Sequence, residues 1–471
     1  MRPFRQFLPL HTLAGTALLV LLAGCGGGGG GGGNSGDGPS PTACTEGARK
    51  QFVLDVTRDW YLFDDLLPAT VNVADFPDAE SLLDHLTATA REQGKDRHFS
   101  YLTTPAAEDS LLGEGQFIGF GLRTRTDPVN RPMILEVFEA SPASDAGIAR
   151  GDEIVAVDSG SGFVPVSELL ADGTTTISDV LGPAEAGLRR GLRLLRGGTT
   201  RDVSIVKRTV TIDPVSNAYG TLVLPQTGTP GVGYLNLRTY VATADSQLRD
   251  AFDRFRALGI RDFIVDLRYN GGGLVSTSQL LNDLLGGGRA ASDVQFRMVH
   301  NTRQSQRNST YYFRPAAQSV QPVRIAFLTT GGTASASEIN INSMLPWVEV
   351  AIVGANTLGK PVGQDAFDLS TCQDRLRLVT FKTVNADGNG DYYGGLAGSV
   401  PFACAADDTV AEPLGSASEG MVATALGWLN TGTCAPMAAT LARGKTGTGG
   451  ASEYPMPRHP SAAQWWLPGV N

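Results

Sequence analysis

The chain has 471 residues, too many for one compact domain and enough for two or three with their own cores. Hydrophobic residues make up 42% and charged residues 18%, the proportions of globular units rather than of a disordered chain. The net charge is −9 with no basic stripe, which argues against nucleic acid as a partner; without residues 1–24, which hold Arg2 and Arg5 and no acid, two positive charges fewer give −11.

Arg2 and Arg5 precede a mostly apolar run, Thr12 to Leu22, too short to span a bilayer comfortably. That is the pattern of an export signal over residues 1–24. The end of the run, Leu22-Ala23-Gly24-Cys25, resembles a bacterial lipobox. The resemblance implies that Cys25 is lipidated and becomes the mature first residue. The membrane is then a partner through that lipid, and the chain sits in the bacterial cell envelope facing the periplasm. An ordinary secretory signal with a fortuitous cysteine is the competing reading. Gly26 to Gly33 is unbroken glycine, so residues 25–43 read as a flexible tether. No other segment is a candidate membrane span.

Five cysteines occur, Cys25, Cys44, Cys372, Cys404 and Cys434. Acylation of Cys25 leaves an even number, and an oxidising compartment then favours disulfides in one of three pairings. The favoured one joins Cys372 to Cys404 and Cys44 to Cys434, the second linking the two ends of the folded part. Free buried thiols are the alternative. No Cys-x-x-Cys appears, which excludes a zinc ribbon.

Residues 44–112 read as helical. Phe52, Val53, Val56, Trp60 and Phe63 recur at three- and four-residue steps within Ala48–Leu66, and Leu82, Leu83, Leu86 and Ala90 do so within Glu80–Glu92. Asp96 and His98 follow, and read as parts of a polar turn between helix and strand rather than of a catalytic triad. From Gly115 the pattern changes to short β runs: Phe117 to Phe120, Met133 to Phe138 and Gly151 to Asp158, with a closing hairpin from Leu192 to Lys207. Ser141 to Gly147 reads as a short helix with proline in its first turn.

This order over 113–209 resembles a PDZ domain of the type inserted in processing proteases. Phe117-Ile118-Gly119-Phe120 stands in the place of its carboxylate-binding loop, followed by Ser-Pro-Ala-x-x-Ala-Gly and Gly-Asp-x-Ile. Successive backbone N–H groups there can cradle a carboxylate while a peptide adds as a strand to the sheet edge. An unrelated small β-barrel is the bland reading.

Strands and helices alternate over 210–436. Gly233–Leu237, Phe263–Leu267, Arg324–Leu328 and Glu349–Gly354 read as buried strands, and Ala244–Leu258 and Leu274–Leu285 as helices. Parallel strands feeding loops at their C-terminal ends put functional residues along one rim. Residues 437–471 are rich in Gly, Pro and Ser and read as a flexible tail, although Trp465-Trp466 is a candidate for docking.

Three segments carry the chemistry: Asp266-Leu267-Arg268-Tyr269-Asn270-Gly271-Gly272-Gly273, Thr333-Ala334-Ser335-Ala336-Ser337-Glu338-Ile339, and Gly359-Lys360-Pro361-Val362-Gly363-Gln364. They resemble the signature blocks of the C-terminal processing (tail-specific) peptidases, and with the PDZ-like insert the match spans roughly residues 95–430. The resemblance implies an α/β multidomain chain with an N-terminal helical segment, a PDZ-like β-barrel and a ClpP/crotonase-like protease core. It makes Ser335 the nucleophile, Lys360 the general base 25 residues on, and Gln364, four further, the residue that orients the lysine. Cleaved partners would be exported proteins and peptides with accessible C-termini, with an adaptor or activator protein as a further candidate partner.

The residue types suit that chemistry. A serine hydroxyl needs a base, and a lysine serves if burial without a counter-ion keeps it neutral. A mostly apolar pocket is therefore expected around Lys360, with uncharged Gln364 holding the amine without raising its pKa. Ala336 N–H and Gly272 N–H are the expected oxyanion donors. No metal or organic cofactor is called for; the acids of Asp387–Asp391 lack the bidentate Glu of an EF-hand loop and suit a hairpin turn. Ser335-x-x-Glu338 is also a plain capping-box pattern, and Ser337 is the runner-up nucleophile. Gly271 stands where the family usually has proline, and Pro361 where glycine is commoner. Two other classes compete: a non-catalytic peptide- or hydrophobic-ligand-binding envelope protein on the same fold, and a peptide-binding envelope chaperone.

Overall fold

The computed structural model describes residues 43–127, 129–227, 229–438 and 454–471. The export signal, Cys25 and the glycine run lie outside the described residues.

Thr45 caps the first helix, Glu46–Trp60, by accepting the Ala48 N–H. The helix stops six residues short of the expected Leu66 because Tyr61 turns extended and Leu62 N–H donates to Val379 of a neighbouring strand. Asp78 caps the second helix, Ala79–Glu92. The two pack Val53, Leu82, Leu83 and Leu86 against Phe367, Leu376 and Leu378, so this segment shares a core with strands far along the chain. A third helix, Pro105–Glu114, starts on capping Thr104 and ends at Gly115, whose φ of 67° needs no Cβ.

Residues 116–211 form a small β unit. Five strands lie in the order Leu122–Thr126, Pro132–Val137, Glu153–Asp158, Arg189–Arg196 and Thr199–Val206, with Phe163–Pro165 also on Glu153–Asp158. Gln116–Gly119 pairs separately with Arg208–Thr211. Alternate residues such as Ile134, Ile154, Leu192, Leu194 and Ile205 fill its core.

The main sheet has six strands in the order Thr221–Leu224, Val232–Asn236, Asp262–Asp266, Arg324–Thr329, Glu349–Gly354 and Phe402–Ala405. All neighbours are parallel except the first pair. Helices Ala244–Ala257, Val275–Leu285 and Ala336–Met344 bury one face and Gly420–Thr431 the other, which explains the near-continuous apolar strands. Asp266 pairs with Leu328 and Thr329 with Gly354, so the loops after three successive parallel strands emerge side by side. A second, antiparallel sheet joins Tyr101–Thr103, Val294–His300, Ser309–Tyr312 and Val362–Leu369 around the long strand Asp374–Asn385.

The disulfides correct the expected pairing. Cys44 bonds Cys372, with Cα atoms 4.9 Å apart, and Cys404 bonds Cys434 at 5.5 Å. The N-terminal helix packs against the strand that Cys372 precedes, while Cys404 lies in the main sheet beside the helix that ends before Cys434. The described part of the tail is another correction. Residues 462–466 form a helical turn whose Trp466, with Leu467 and Val470, is buried among Leu111, Phe117 and Phe138. Asp387 and Asn389 N–H groups donate to Asn385 Oδ1, making 385–389 a tight turn. Among the described residues no helix is long and apolar enough to cross a membrane, and no cluster of three or more His, Cys, Asp or Glu side chains could hold a metal ion.

Candidate active site

The glycine turn after Asp262–Asp266 and the serine loop after Arg324–Thr329 are tied together at one residue. The Asn270 carbonyl accepts Ala334 N–H at 3.1 Å and Ser337 Oγ at 2.9 Å. Thr333 Oγ1 donates to Leu267 O at 2.8 Å. Ser337 is thus fully buried, with its hydroxyl committed to the loop.

Ser335 stands at the entry to the helix Ala336–Met344 with φ 55° and ψ −116°. A non-glycine residue there costs on the order of 1–3 kcal/mol, and such strain is concentrated at functional turns. Two observations hold it. Its N–H donates to Glu338 Oε2 at 3.0 Å, the carboxylate half of the expected capping box, and its carbonyl accepts Ile339 N–H. Gly272, at φ 110°, presses so close that a Cβ on it would lie 2.8 Å from Ser335 Cβ and 3.0 Å from Ala336 N. Gly272 is thus beside Ala336 as expected, but its N–H is not directed at an incoming oxygen: it donates to Asn270 Oδ1 at 2.9 Å. The short Asn side chain closes a local turn on the amide two residues on.

The third loop brings Lys360. Glu338 accepts Lys360 N–H at 2.8 Å on the oxygen that holds Ser335, and Gly359 N–H at 2.8 Å on the other. From the N-terminal segment Arg97 Nη2 donates to Leu358 O at 2.7 Å and Gly359 O at 2.5 Å. Lys360 Nζ donates to Gln364 Oε1 at 2.6 Å, and Gln364 Nε2 donates to Phe99 O. The Phe99 and Trp466 ring centres lie 4.9 and 5.3 Å from Nζ. Lys360 is only 8% exposed, and burial lowers its ammonium to about 8, assisted by the nearby Arg377 and Arg97 charges and opposed by Asp96 and Glu338. Burial also pushes the Glu338 carboxyl up, against the N–H groups that hold its charged form.

Glu338, Arg97, Phe99 and Trp466 were not among the expected site residues. The Ser-x-x-Glu spacing did signal Glu338, but only as a cap; its hold on Lys360 joins residues 22 apart in sequence. Asp96 has the structural role expected of it, accepting Phe99 N–H, Ser100 N–H, Ser100 Oγ and Tyr61 OH, while His98 lies on the outside of that turn. Phe117 and Phe120 are buried, Ile118 is exposed, and Gly119 and Phe120 lie against Asn471.

Residues 231–395 match the model of peptidase family S41, and residues 48–101 match that of the peptidase S41 N-terminal domain. The chain is 26% identical over 268 residues to the chloroplastic carboxyl-terminal-processing peptidase 2 of Arabidopsis thaliana, covering 56% of this chain and 48% of that one. It is 26% identical over 288 residues to the carboxyl-terminal-processing protease of Synechocystis, covering 58% and 61%. The chain therefore spans about half the length of such curated relatives. A crystal structure from Bacteroides fragilis, described as a candidate S41 protease, shares the fold with a TM-score of 0.63 at 23% identity, over 81% of this chain and 97% of that one.

Proposed function

This chain belongs to peptidase family S41, and we propose that within it the protein is a serine endopeptidase with a Ser335/Lys360 dyad. The observation that carries the reading is the setting of Lys360: a buried amine with a neutral amide as its hydrogen-bond partner, on a loop fastened to the serine loop. That environment favours a neutral base at mild pH.

In the proposed reaction neutral Lys360 Nζ takes the Ser335 Oγ proton as Oγ bonds the substrate carbonyl carbon. Ala336 N–H, at the start of a helix, donates to the oxygen as it becomes negative. The ammonium returns the proton to the leaving amine as the C–N bond breaks, leaving an acyl-enzyme. Water then repeats the sequence, giving a carboxylic acid and free Ser335. The side chain of Gln364 keeps the amine aimed.

The unit over 116–211 is read as PDZ-like, delivering extended C-terminal segments to the dyad through the N–H groups of Phe120, Gly121 and Leu122, since Phe117 to Gly119 of the expected loop lie in a strand paired with Arg208–Thr211. Its substrates are read as exported proteins, and the chain as an envelope lipoprotein held by lipid on Cys25. Hydrolysis of an unfolded protein by the full chain, by Ser335→Ala and by Lys360→Ala tests the dyad. Cleavage by the parent alone is expected; equal cleavage by all three sinks it, and none by any favours a binding protein.

A further inference from the structure

The end of the described chain lies against the edge of the strand Leu122–Thr126. Past the helical turn Ala462–Trp466 a second turn, closed by Val470 N–H on Leu467 O at 3.1 Å, leads to a single antiparallel bridge between Val470 and Arg123: Thr124 N–H donates to Gly469 O at 2.8 Å, and Asn471 N–H to Leu122 O at 2.9 Å. Three successive N–H groups, of Phe120, Gly121 and Leu122, converge on Asn471 O at 3.1, 3.0 and 3.3 Å. Such a nest of amide donors binds an acceptor oxygen by geometry alone. Gly119 leaves the space for it, since a Cβ there would come within 3.0 Å of Asn471 C. Val470 is 1% exposed, packed with Phe117 and Phe138.

The other end of the same segment covers the dyad. The Trp466 ring lies over Lys360 Nζ, and the Trp466 carbonyl oxygen is 2.7 Å from where a Cβ on Gly271 would be. Trp465 stacks on Tyr101 with ring centres 4.1 Å apart. Arg123 links the two halves: Nη1 donates to Pro468 O at 3.0 Å and to Tyr269 O, at the head of the glycine turn, at 2.6 Å. One decapeptide thus occupies the amide nest at the edge of the strand Leu122–Thr126 and covers Lys360 and the glycine turn together.

We propose that Ala462–Asn471 is an internal competitor of substrate, so that the resting protein is self-occupied and a substrate segment must displace it to reach the dyad. The inference rests on the peptidase reading for the meaning of the dyad, but the occupancy itself is a matter of peptide binding. It also describes the competing ligands: segments with an aromatic residue over Lys360 and, four residues on across a turn, a β-branched residue beside Phe117, anchored by a main-chain or carboxylate oxygen.

Gly469→Val tests it in the full chain. Gly469 has φ 74°, and a Cβ there would lie 2.1 Å from Thr124 O, so the substitution expels the strand without touching the dyad. Trp466→Ala is the second variant, chosen to keep the strand while uncovering Lys360. Thermal unfolding establishes that each is folded. Two readouts are taken: hydrolysis of an unfolded protein, and binding of a fluorescent synthetic peptide of sequence 462–471, by anisotropy, in a Ser335→Ala background.

Gly469→Val is expected to bind the peptide at least about tenfold more tightly than the parent and to cleave at least about tenfold faster at low substrate, as release of an occupied site requires. Trp466→Ala is expected to cleave faster as well. If folded Gly469→Val binds no more tightly and cleaves at the parent rate or slower, the segment is part of the working site and the inference falls, while Ser335-dependent cleavage leaves the peptidase reading standing. Tighter peptide binding by Gly469→Val with no cleavage by any variant supports self-occupancy and overturns the peptidase reading instead.

Discussion

Ser335 and Lys360 hold the same carboxylate oxygen: the backbone N–H of each donates to Glu338 Oε2, at 3.0 and 2.8 Å. A single buried side chain therefore fixes the spacing of the two loops that would carry nucleophile and base. Glu338→Gln keeps the shape but replaces one acceptor oxygen with an NH2 that faces N–H donors. Unpaired buried donors cost on the order of 1–3 kcal/mol each, so the variant should lose about that much stability and about a hundredfold in kcat. Denaturant midpoints and kcat at fixed pH check it; a variant with parent kcat would show that Glu338 does not position the pair.

The depressed ammonium of Lys360 gives a pH dependence of definite sign. With a pKa of about 8, roughly one molecule in ten carries a neutral amine at pH 7, and kcat/KM should rise about tenfold between pH 7 and pH 9 before levelling. Stability moves the same way. The unfolded lysine titrates near 10.4, so between about 8 and 10.4 the unfolded chain binds more protons and folding strengthens as pH rises; below about 8 the penalty is fully present. Lys360→Met should abolish cleavage yet stabilise the protein at pH 7 by about 1–3 kcal/mol, since an apolar chain suits the aromatic site better than a buried charge. A flat pH–rate profile from pH 6 to 9 would count against a lysine base.

The parallel strands and their rim were legible in the sequence because a buried strand reads as a continuous apolar run and its glycine turn as punctuation. Glu349–Gly354 has the expected limits, and Asp262–Asp266 is displaced from them by one residue. The contacts that finish the site were not legible. Phe99, Arg97 and Trp466 reach Lys360 from segments more than a hundred residues away in either direction, and nothing local in the sequence encodes which aromatic ring will cover an amine. Residues 454–471 read as a tail on composition, yet Pro468 and Gly469 form a turn that brings Val470 onto Arg123 as a β-bridge, where apolar neighbours bury it. The disulfide pairing failed for the same reason, because sequence separation says little about which strand a helix crosses.

Ser337 gives a sharper check on the nucleophile than Ser335 alone. Its hydroxyl donates to the Asn270 carbonyl at 2.9 Å inside the protein, so Ser337→Ala should cost about 1 kcal/mol of stability and leave cleavage within about fivefold of the parent. Gly272→Ala makes the opposite case: a methyl group 2.8 Å from Ser335 Cβ, on a residue at φ 110°, should destabilise by about 2–4 kcal/mol and remove activity. Titration of the active serine with a fluorophosphonate separates the two: labelling should persist in Ser337→Ala and disappear in Gly272→Ala. Labelling lost in Ser337→Ala alone would reverse the assignment of nucleophile.

The two disulfides should differ in what they contribute to stability, because they close loops of very different length. Cys44–Cys372 spans 328 residues and Cys404–Cys434 spans 30. In the chain-entropy model the longer closure restricts the unfolded chain more by 1.5RT times the logarithm of that ratio, about 2 kcal/mol. The paired change Cys44→Ser with Cys372→Ser should therefore lower the unfolding free energy about 2 kcal/mol further than Cys404→Ser with Cys434→Ser. It should also loosen the helix Glu46–Trp60, whose packing partners Phe367 and Leu376 flank Cys372. Because Arg97 and Phe99 belong to that same segment, the first pair of changes should slow cleavage while the second leaves kcat unchanged. Urea unfolding with matched activity assays decides it, and equal losses of stability with equal kcat would mean that neither loop length nor the N-terminal clamp matters as argued.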